Sequence, residues 1–270
     1  MVIEADKVFA GSIPDVYDDY LVPLIFEQYA QDLAARTAVL NPGAVLEVAA
    51  GSGVVSRAVA PLLSPEARHV VTDLNAPMLE RAAAMQHNPA QIEWQPADAL
   101  YLPFADDTFD LVLCQFGAMF FPDRVRAYAE AGRVLESGGR FIFSMWDRIE
   151  ENDFAHAVTT ALVEEFPDDP PSFLARTPHG HYDPAIYQAE LEAAGFEEMT
   201  IDAVDEISAA ADPAIPAIAY CKGTPLRNEI EAMSPPGLEE ATNRATDAIR
   251  TRFGSGDVQG RIRGFVITAR

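Results

Sequence analysis

Apolar residues recur at three- and four-residue intervals from Asp19 to Leu40, at Leu21, Leu24, Ile25, Tyr29, Leu33 and Ala34. This spacing predicts an amphipathic helix, stopped by Asn41, Pro42 and Gly43. Ala44 to Ala49 reads as a short buried strand, followed by a glycine-rich turn and a helix from about Gly53 to Leu63 that Pro65 bounds. His69 to Thr72 predicts a second strand, ended by Asp73. Ala76 to Gln86 predicts a helix, with Asn75 as its N-cap and Pro77 early, where a missing N–H does no harm. Ile92 to Gln95 makes a third strand. Asp110 to Phe116 is the fourth and most apolar, as suits a central parallel strand buried on both faces. Asp123 to Leu135 returns to helical spacing, a Ser137-Gly138-Gly139 turn ends it, and Arg140 to Trp146 supplies a fifth strand. Strand and helix are thus expected to alternate five times, the signature of parallel α/β architecture.

Beyond Asp147 the pattern loosens. Phe154 to Phe166 is helical, and a proline-rich loop from Pro167 to Pro178 leads to a helix from about Pro184 to Ala194, closed by Gly195. Phe196 to Ala203 reads as a strand. Ala214 to Arg252 is helical, broken near Ser234, Pro235, Pro236 and Gly237, and Gly264 to Thr268 closes the chain as one more strand. No internal repeat or low-complexity segment is found.

Composition changes this picture little. The chain has 270 residues, 49% hydrophobic and 23% charged, enough to bury a sizeable core. Charge says more: 42 acidic against 19 basic residues give a formal net charge of -23. Such a field repels polyanions, so nucleic acid and acidic membrane surfaces are not expected as partners. The one basic cluster, Arg244, Arg250, Arg252, Arg261 and Arg263, is interleaved with Asp247 and Asp257 and reads as a solvated face. The opening residues show no apolar signal segment, and no run approaches a membrane span. Two distant cysteines, Cys114 and Cys221, suggest neither a disulfide framework nor a zinc site, and a cytoplasmic protein is expected.

The candidate chemistry begins at Val45-Leu46-Glu47-Val48-Ala49-Ala50-Gly51-Ser52-Gly53, a buried strand running into a turn without bulky side chains. A ligand could approach that backbone closely, and the next helix begins there with free N–H groups. Tight strand-to-helix turns of this kind also serve packing alone. Asp73 ends the second strand twenty residues after Gly53, where doubly wound nucleoside-binding folds place a carboxylate for ribose hydroxyls; an ordinary helix cap is the competing reading. Asp98 follows the third strand. Its carboxylate could accept the exocyclic amine of an adenine while the Ala99 backbone N–H meets a ring nitrogen. Glu47, Asp73 and Asp98 are therefore expected at the C-terminal ends of successive parallel strands, the edge where ligands bind.

From about Val45 to Trp146 the chain resembles the class I S-adenosylmethionine-dependent methyltransferases, in particular the group similar to the ubiquinone/menaquinone-biosynthesis C-methyltransferases (methyltransferase type 11). The resemblance rests on the Glu47-to-Gly53 motif, Asp73-Leu74-Asn75 with Met78-Leu79, Asp98-Ala99 leading into Leu102-Pro103-Phe104, and Arg133-Val134-Leu135 before Gly138-Gly139. Two departures stand out: Ala49 replaces the motif's first glycine, and Ser137 replaces a proline that often precedes the later pair. The resemblance implies a Rossmann-like, doubly wound, mostly parallel seven-stranded sheet with helices on both faces and a helical insertion near the C-terminus. It implies one domain over 1–270, with an N-terminal helical cap (1–40), a cofactor-binding core (41–147) and substrate-side helices and closing strands (148–270).

The resemblance also implies S-adenosyl-L-methionine as cofactor, with S-adenosyl-L-homocysteine as product. Glu47, Ala49, Gly51 and Gly53 would line the methionine part, Asp73 would hold the ribose hydroxyls, Leu74 and Met78 would flank the adenine, and Asp98 with Ala99 would read its edge. Gln115 and Phe116 would lie beneath the methionine chain. Tyr17, with Tyr20, resembles the segment that folds over the cofactor in such enzymes; helix entry or core packing is the competing reading. The acceptor is expected to be a small, partly hydrophobic molecule, met by the N-terminal segment, the Gly117 to Pro122 loop, Trp146 and the 167–178 and 214–237 segments. Tyr17, His179 and His181 are the candidate proton acceptors. His179-Gly180-His181 lacks a third convergent ligand, so no metal is expected. Oligomeric state is not readable, and a homodimer is compatible with the sequence. A nicotinamide-dependent oxidoreductase is a rival, because Gly51-Ser52-Gly53-Val54-Val55-Ser56 is a dinucleotide fingerprint with serine for its last glycine. A catalytically silent cofactor-binding protein is another.

Overall fold

The computed structural model describes residues 6, 13–87, 92–233 and 237–270. Seven strands, β1 (Ala44–Glu47), β2 (Arg68–Asp73), β3 (Glu93–Pro96), β4 (Phe109–Gln115), β5 (Leu135–Trp146), β6 (Met199–Ala210) and β7 (Val258–Ala269), form one sheet in the order β3-β2-β1-β4-β5-β7-β6. The pairs β1/β2, β2/β3, β1/β4 and β4/β5 are parallel. From β1 the order runs outward to β3, then returns to place β4 on the other flank of β1. The carboxyl ends of β1 and β4 therefore border the point where strand order reverses, the standard crevice of an open parallel sheet.

Local sequence explains the individual strands. In β4, Phe109, Leu111, Val112, Leu113 and Cys114 are all fully buried, as a strand between two parallel neighbours requires. Parallel strands need long crossovers, and these are α3 (Val54–Val59) between β1 and β2, α4 (Ala76–Met85) between β2 and β3, and α5 (Arg124–Val134) between β4 and β5. Pro77 sits in the first turn of α4, and Asp123 caps α5 by accepting the Arg126 N–H at 3.0 Å.

The chain forms two compact units. The second unit contains Glu27–Met145, Asp183–Ala203 and Phe265–Arg270. It holds α2 (Glu27–Leu40), α8 (Pro184–Ala193), β1 to β4 and most of β5. The first unit takes the described residues of Met1–Phe26 with Trp146–Tyr182 and Val204–Gly264. It holds α6 (Asp153–Glu165), α9 (Ala214–Lys222), α10 (Leu226–Ala232) and α11 (Gly237–Phe253). Its arginines are paired: Arg244 with Glu165 at 3.1 Å, Arg252 with Asp153 at 2.8 Å and Arg263 with Asp147 at 3.4 Å.

Several expectations need correction. Strand and helix do not alternate throughout, because residues 97–108 connect β3 to β4 without a helix; that loop is held by side chains instead. The helix expected over Asp19 to Leu40 follows a short helix, α1 (Ile13–Val16), begins as π-helical turns over Tyr17–Phe26, where Pro23 removes a donor from the ladder, and becomes α-helical only at Glu27. A short helix, α7 (Phe173–Arg176), interrupts the expected 167–178 loop. The last helical stretch is three helices, because Gly223, Thr224 and Pro225 divide α9 from α10; the break expected at Ser234, Pro235 and Pro236 lies outside the described residues. Asn75 precedes α4 without a side-chain cap bond. Ser137, Gly138 and Gly139 form an irregularity within β5, where the register against β4 jumps from Phe109/Leu135 to Leu111/Arg140. The closing strand is longer than the apolar run Gly264 to Thr268, because its first half alternates buried and exposed positions.

One close approach locks β1 to β4 beyond their last paired residues. A Cβ built on Gly117 would lie 2.6 Å from the Ala49 Cβ and 2.9 Å from the Cys114 Sγ. Gly117→Ala should therefore destabilise the protein by about 1–3 kcal/mol through overpacking, measured by equilibrium urea unfolding. A change under about 0.5 kcal/mol would show that this contact does not constrain the fold.

Candidate functional site

The turn after β1 stays attached to both neighbouring strands. Val48 N–H donates to the Leu113 carbonyl at 2.8 Å, and Ala50 N–H donates to the Thr72 carbonyl at 3.0 Å. The chain must then bend within a few residues, and it does so through positive φ at Ala49 (55°), Gly51 (56°) and Gly53 (81°). Gly53 has a second reason to be glycine: a Cβ there would lie 2.8 Å from the Ala82 Cβ of α4. Ala49 is different, since a side-chain-bearing residue in the left-handed region carries strain of roughly 1–2 kcal/mol. Phe116, just past β4, has φ 50° and is a second such residue. Its N–H is held by the Ser144 carbonyl and hydroxyl, each at 3.2 Å, and its ring meets Tyr29 edge-on at 5.0 Å. Both strained residues thus stand at the strand-order reversal.

Asp73 closes the bend from the β2 side. Its Oδ2 accepts the Gly51 N–H at 2.8 Å and its Oδ1 accepts the Asn75 N–H at 2.7 Å. Burial raises its pKa and the two backbone donors lower it, with the net shift upward. Each carboxylate oxygen retains a second lone pair for a further donor. The helix-side contact and a ribose site are therefore compatible, one using the backbone partners and the other the remaining lone pairs. Next to it, Leu74 is 61% exposed while Met78 is buried in α4. The Asp73 carbonyl accepts the Ala97 N–H at 3.1 Å, which ties the end of β2 to the start of the 97–108 loop. Asp98 is half-buried there, and its Oδ1 accepts the Leu100 N–H at 2.9 Å. Ala99 is buried.

Glu47 sits deeper than the others. Its carboxyl is 1% exposed and accepts the Ser56 hydroxyl at 2.6 Å, so the serine in the dinucleotide-like fingerprint is committed to this carboxyl. Burial pushes the Glu47 pKa up to about 8, against the Ser56 hydrogen bond and the nearby Arg57 charge. His69 Nε2 of β2 lies 4.0 Å away, and neither of its ring nitrogens has a hydrogen-bond partner among the described residues. Burial lowers the His69 pKa to about 4. The place of His69 and the contacts of Ser56 with Glu47 and of Gly117 with Ala49 were not legible, because no periodicity links these residues.

The structure brings Glu47, Ala49, Gly51, Gly53, Asp73, Leu74, Met78, Asp98, Ala99, Gln115 and Phe116 into the second unit. Tyr17, His179 and His181 belong to the first. Tyr17 stacks on Phe26 at 5.2 Å, Phe26 contacts Trp146 at 6.0 Å, and Trp146 contacts His179 at 6.0 Å. His179 Nδ1 lies 2.8 Å from the Asp147 carbonyl oxygen. A carbonyl only accepts, so Nδ1 carries the proton and Nε2 the lone pair. Burial lowers the His179 pKa to about 4, which keeps the ring neutral. His181 is half-buried, and only glycine fits between the two histidines, since a Cβ at Gly180 would lie 2.0 Å from the Arg176 carbonyl. Among the described residues, no three His, Cys, Asp or Glu side chains converge as a metal site would require.

The rim thus presents a bend without bulky side chains, a carboxylate with spare lone pairs, an exposed apolar Leu74 and a half-buried acid on the next loop. Residues 46–143 match the family described as a methyltransferase domain. An uncharacterized protein of Mycobacterium tuberculosis is 40% identical over 116 residues, 42% of this chain; the match covers 41% of that relative's length. The ubiquinone/menaquinone biosynthesis C-methyltransferase of a Marinomonas species is 25% identical over 198 residues, covering 69% of this chain and 79% of that one. A solved Bacillus halodurans protein assigned to the methyltransferases shares the fold at TM-score 0.54 and 24% identity, covering 91% and 98%.

The buried carboxyl has a measurable consequence. Glu47 binds its proton more tightly folded than unfolded, so its contribution to stability is complete below about pH 4.5 and is lost as pH rises through about 8. His69 and His179 have the opposite sign, losing stability as pH falls from 6.5 toward about 4. The window from pH 6.5 to 8 therefore isolates Glu47 from both histidines. Across it, the stability of the unliganded protein relative to Glu47→Gln should fall by roughly 2 kcal/mol, since one pKa unit corresponds to about 1.4 kcal/mol. Parallel profiles from denaturant unfolding at several pH values would contradict a protonated Glu47.

Proposed function

We propose that this chain, whose residues 46–143 match a methyltransferase domain, binds S-adenosylmethionine along the rim carrying Glu47, Gly51, Gly53, Asp73 and Asp98 and methylates a small, partly hydrophobic acceptor. The observation that supports this most is the Asp73 carboxylate, buried at the end of β2 and hydrogen-bonded to Gly51 of the bend. That arrangement gives a neighbouring pair of ribose hydroxyls a fixed acceptor.

S-adenosylmethionine supplies a methyl carbon already activated by its sulfonium sulfur. The protein's task is then to orient the reactants and exclude water. The side-chain-poor bend admits the ligand to the backbone, and Leu74 offers an apolar surface beside a base. Asp98 is assigned the exocyclic amine and Ala99 N–H a ring nitrogen. Gln115 and Phe116 are assigned to the methionine chain. Glu47 acts from below, with Ser56 fixing its carboxyl. Displacement is in line, and a proton acceptor is needed only where the acceptor carries a proton at the reacting atom.

A nicotinamide enzyme fits less well. Ser56 fills the position where a dinucleotide fold keeps a glycine for close helix-strand packing, and its hydroxyl is committed to the Glu47 carboxyl.

Calorimetric titration should show binding of S-adenosylmethionine and S-adenosylhomocysteine and none of NAD; the reverse preference would refute the proposal. Asp73→Ala should weaken S-adenosylhomocysteine binding by about 1.5–3 kcal/mol, the range for charge-assisted hydrogen bonds. Unchanged affinity would remove Asp73 from the site. Binding without formation of S-adenosylhomocysteine from S-adenosylmethionine, over a broad acceptor panel, would favour a silent binding protein.

A further inference from the structure

The 97–108 connection between β3 and β4 has no helix or strand of its own, yet it carries both groups assigned to adenine. Its backbone polar groups need partners, and these come from one face of α5. Arg126, Glu130 and Arg133 stand at i, i+4 and i+7 and share that face. Arg126 Nε donates to the Leu100 carbonyl at 3.0 Å, and its guanidinium lies over the Tyr101 ring at 3.8 Å. Glu130 Oε2 accepts the Leu102 N–H at 2.8 Å. Arg133 donates to the Leu102 carbonyl at 3.0 Å, to the Phe104 carbonyl at 2.8 Å and to the Asp106 carboxylate at 2.8 Å. Two charge-assisted bonds of 2.8 Å couple Arg133 to Glu130. The arginine charge thereby lowers the Glu130 pKa, which keeps it an anion and an acceptor for Leu102.

The clamp begins two residues from the reading groups. Asp98 turns the chain by accepting the Leu100 N–H on Oδ1 and the Tyr101 N–H on its carbonyl. Leu100 and Tyr101 are also the residues that Arg126 grips. On the other side, the Ala97 N–H is held by Asp73. The Asp98 carboxylate and the Ala99 N–H therefore lie between two fixed points, one at the ribose acid and one on α5.

We propose that Arg126, Glu130 and Arg133 are positioning residues for base recognition: by fixing Leu100 to Asp106 on α5, they set where Asp98 and Ala99 meet the base, and hence the preference for a 6-amino purine. This rests on the adenine assignment of Asp98 and Ala99. A clamp serving stability alone would alter unfolding and leave base preference untouched, because every nucleoside ligand would be affected equally.

The test is calorimetric titration of S-adenosylhomocysteine and its inosine counterpart, which has a 6-oxo group in place of the amine, on wild type, Arg126→Met, Arg133→Met and Arg133→Lys. Wild type should prefer the adenosine form by about tenfold or more, as expected when a charged acceptor loses its donor. In Arg126→Met and Arg133→Met that preference should shrink by roughly three- to tenfold, the scale of one lost hydrogen bond, with Arg133→Lys intermediate. Arg126 is the more exposed, so its variant reads the effect if Arg133→Met does not fold. An unchanged ratio in a folded variant would overturn the proposal. Equal binding of the two ligands by wild type would instead overturn the adenine assignment, and the clamp's role with it.

Discussion

The arrangement depends on the Asp73 carboxylate. It is taken out of water at the end of β2, which raises the cost of its charge, and two backbone N–H groups offset that cost. One donor comes from Gly51 in the bend after β1 and the other from Asn75 at the entrance to α4. A single side chain thereby couples the bend, the second strand and the next helix. Its own carbonyl adds the loop after β3. Three consecutive crossovers are referenced to one residue, and groups from each can act on a single ligand.

Of the four described residues other than glycine with positive φ, Asn41 and Asp107 are types that tolerate it, and the other two stand here. Ala49 and Phe116 hold left-handed backbone conformations at the ends of β1 and β4, the two strands that flank the reversal of strand order. A side chain in that region persists only where its surroundings fix it. For Phe116 the fixing comes from Ser144 and Tyr29; for Ala49 it comes from sheet hydrogen bonds on either side and a methyl group packed where Gly117 leaves room. Glu47 is a second stored cost, a buried acid with one hydroxyl donor. The site is thus held out of its lowest-energy local states by the sheet around it, which is the meaning of preorganisation in a fold of this kind.

Much of this was legible in the chain. β1, β2 and β4, the carboxylates at Glu47, Asp73 and Asp98 and the side-chain-poor bend follow from buried runs ended by acids and glycines, whereas β3 and β6, mostly exposed or half-buried, carry no such run. The depth of each acid was not. Glu47 and Asp73 look equivalent as strand-ending carboxylates, yet Glu47 faces Ser56 and His69 while Asp73 keeps lone pairs to spare, a difference set by contacts nine and twenty-two residues away. The missing crossover helix after β3 could not be read from hydrophobic period, because a loop held by α5 side chains has none. The charges that hold it, Arg126, Glu130 and Arg133, do carry a helical spacing, but only the structure shows what they grip. Ala49 at a glycine position was visible as a departure; its methyl filling the space at Gly117 was not.

The most direct measurement is a crystal structure with S-adenosylhomocysteine bound. The account predicts both ribose hydroxyls within hydrogen-bond distance of the Asp73 carboxylate, and the adenine edge against Asp98 and Ala99 with Leu74 on one face. Ribose density elsewhere, or an Asp73 carboxylate that keeps only its Gly51 and Asn75 partners in the complex, would contradict it.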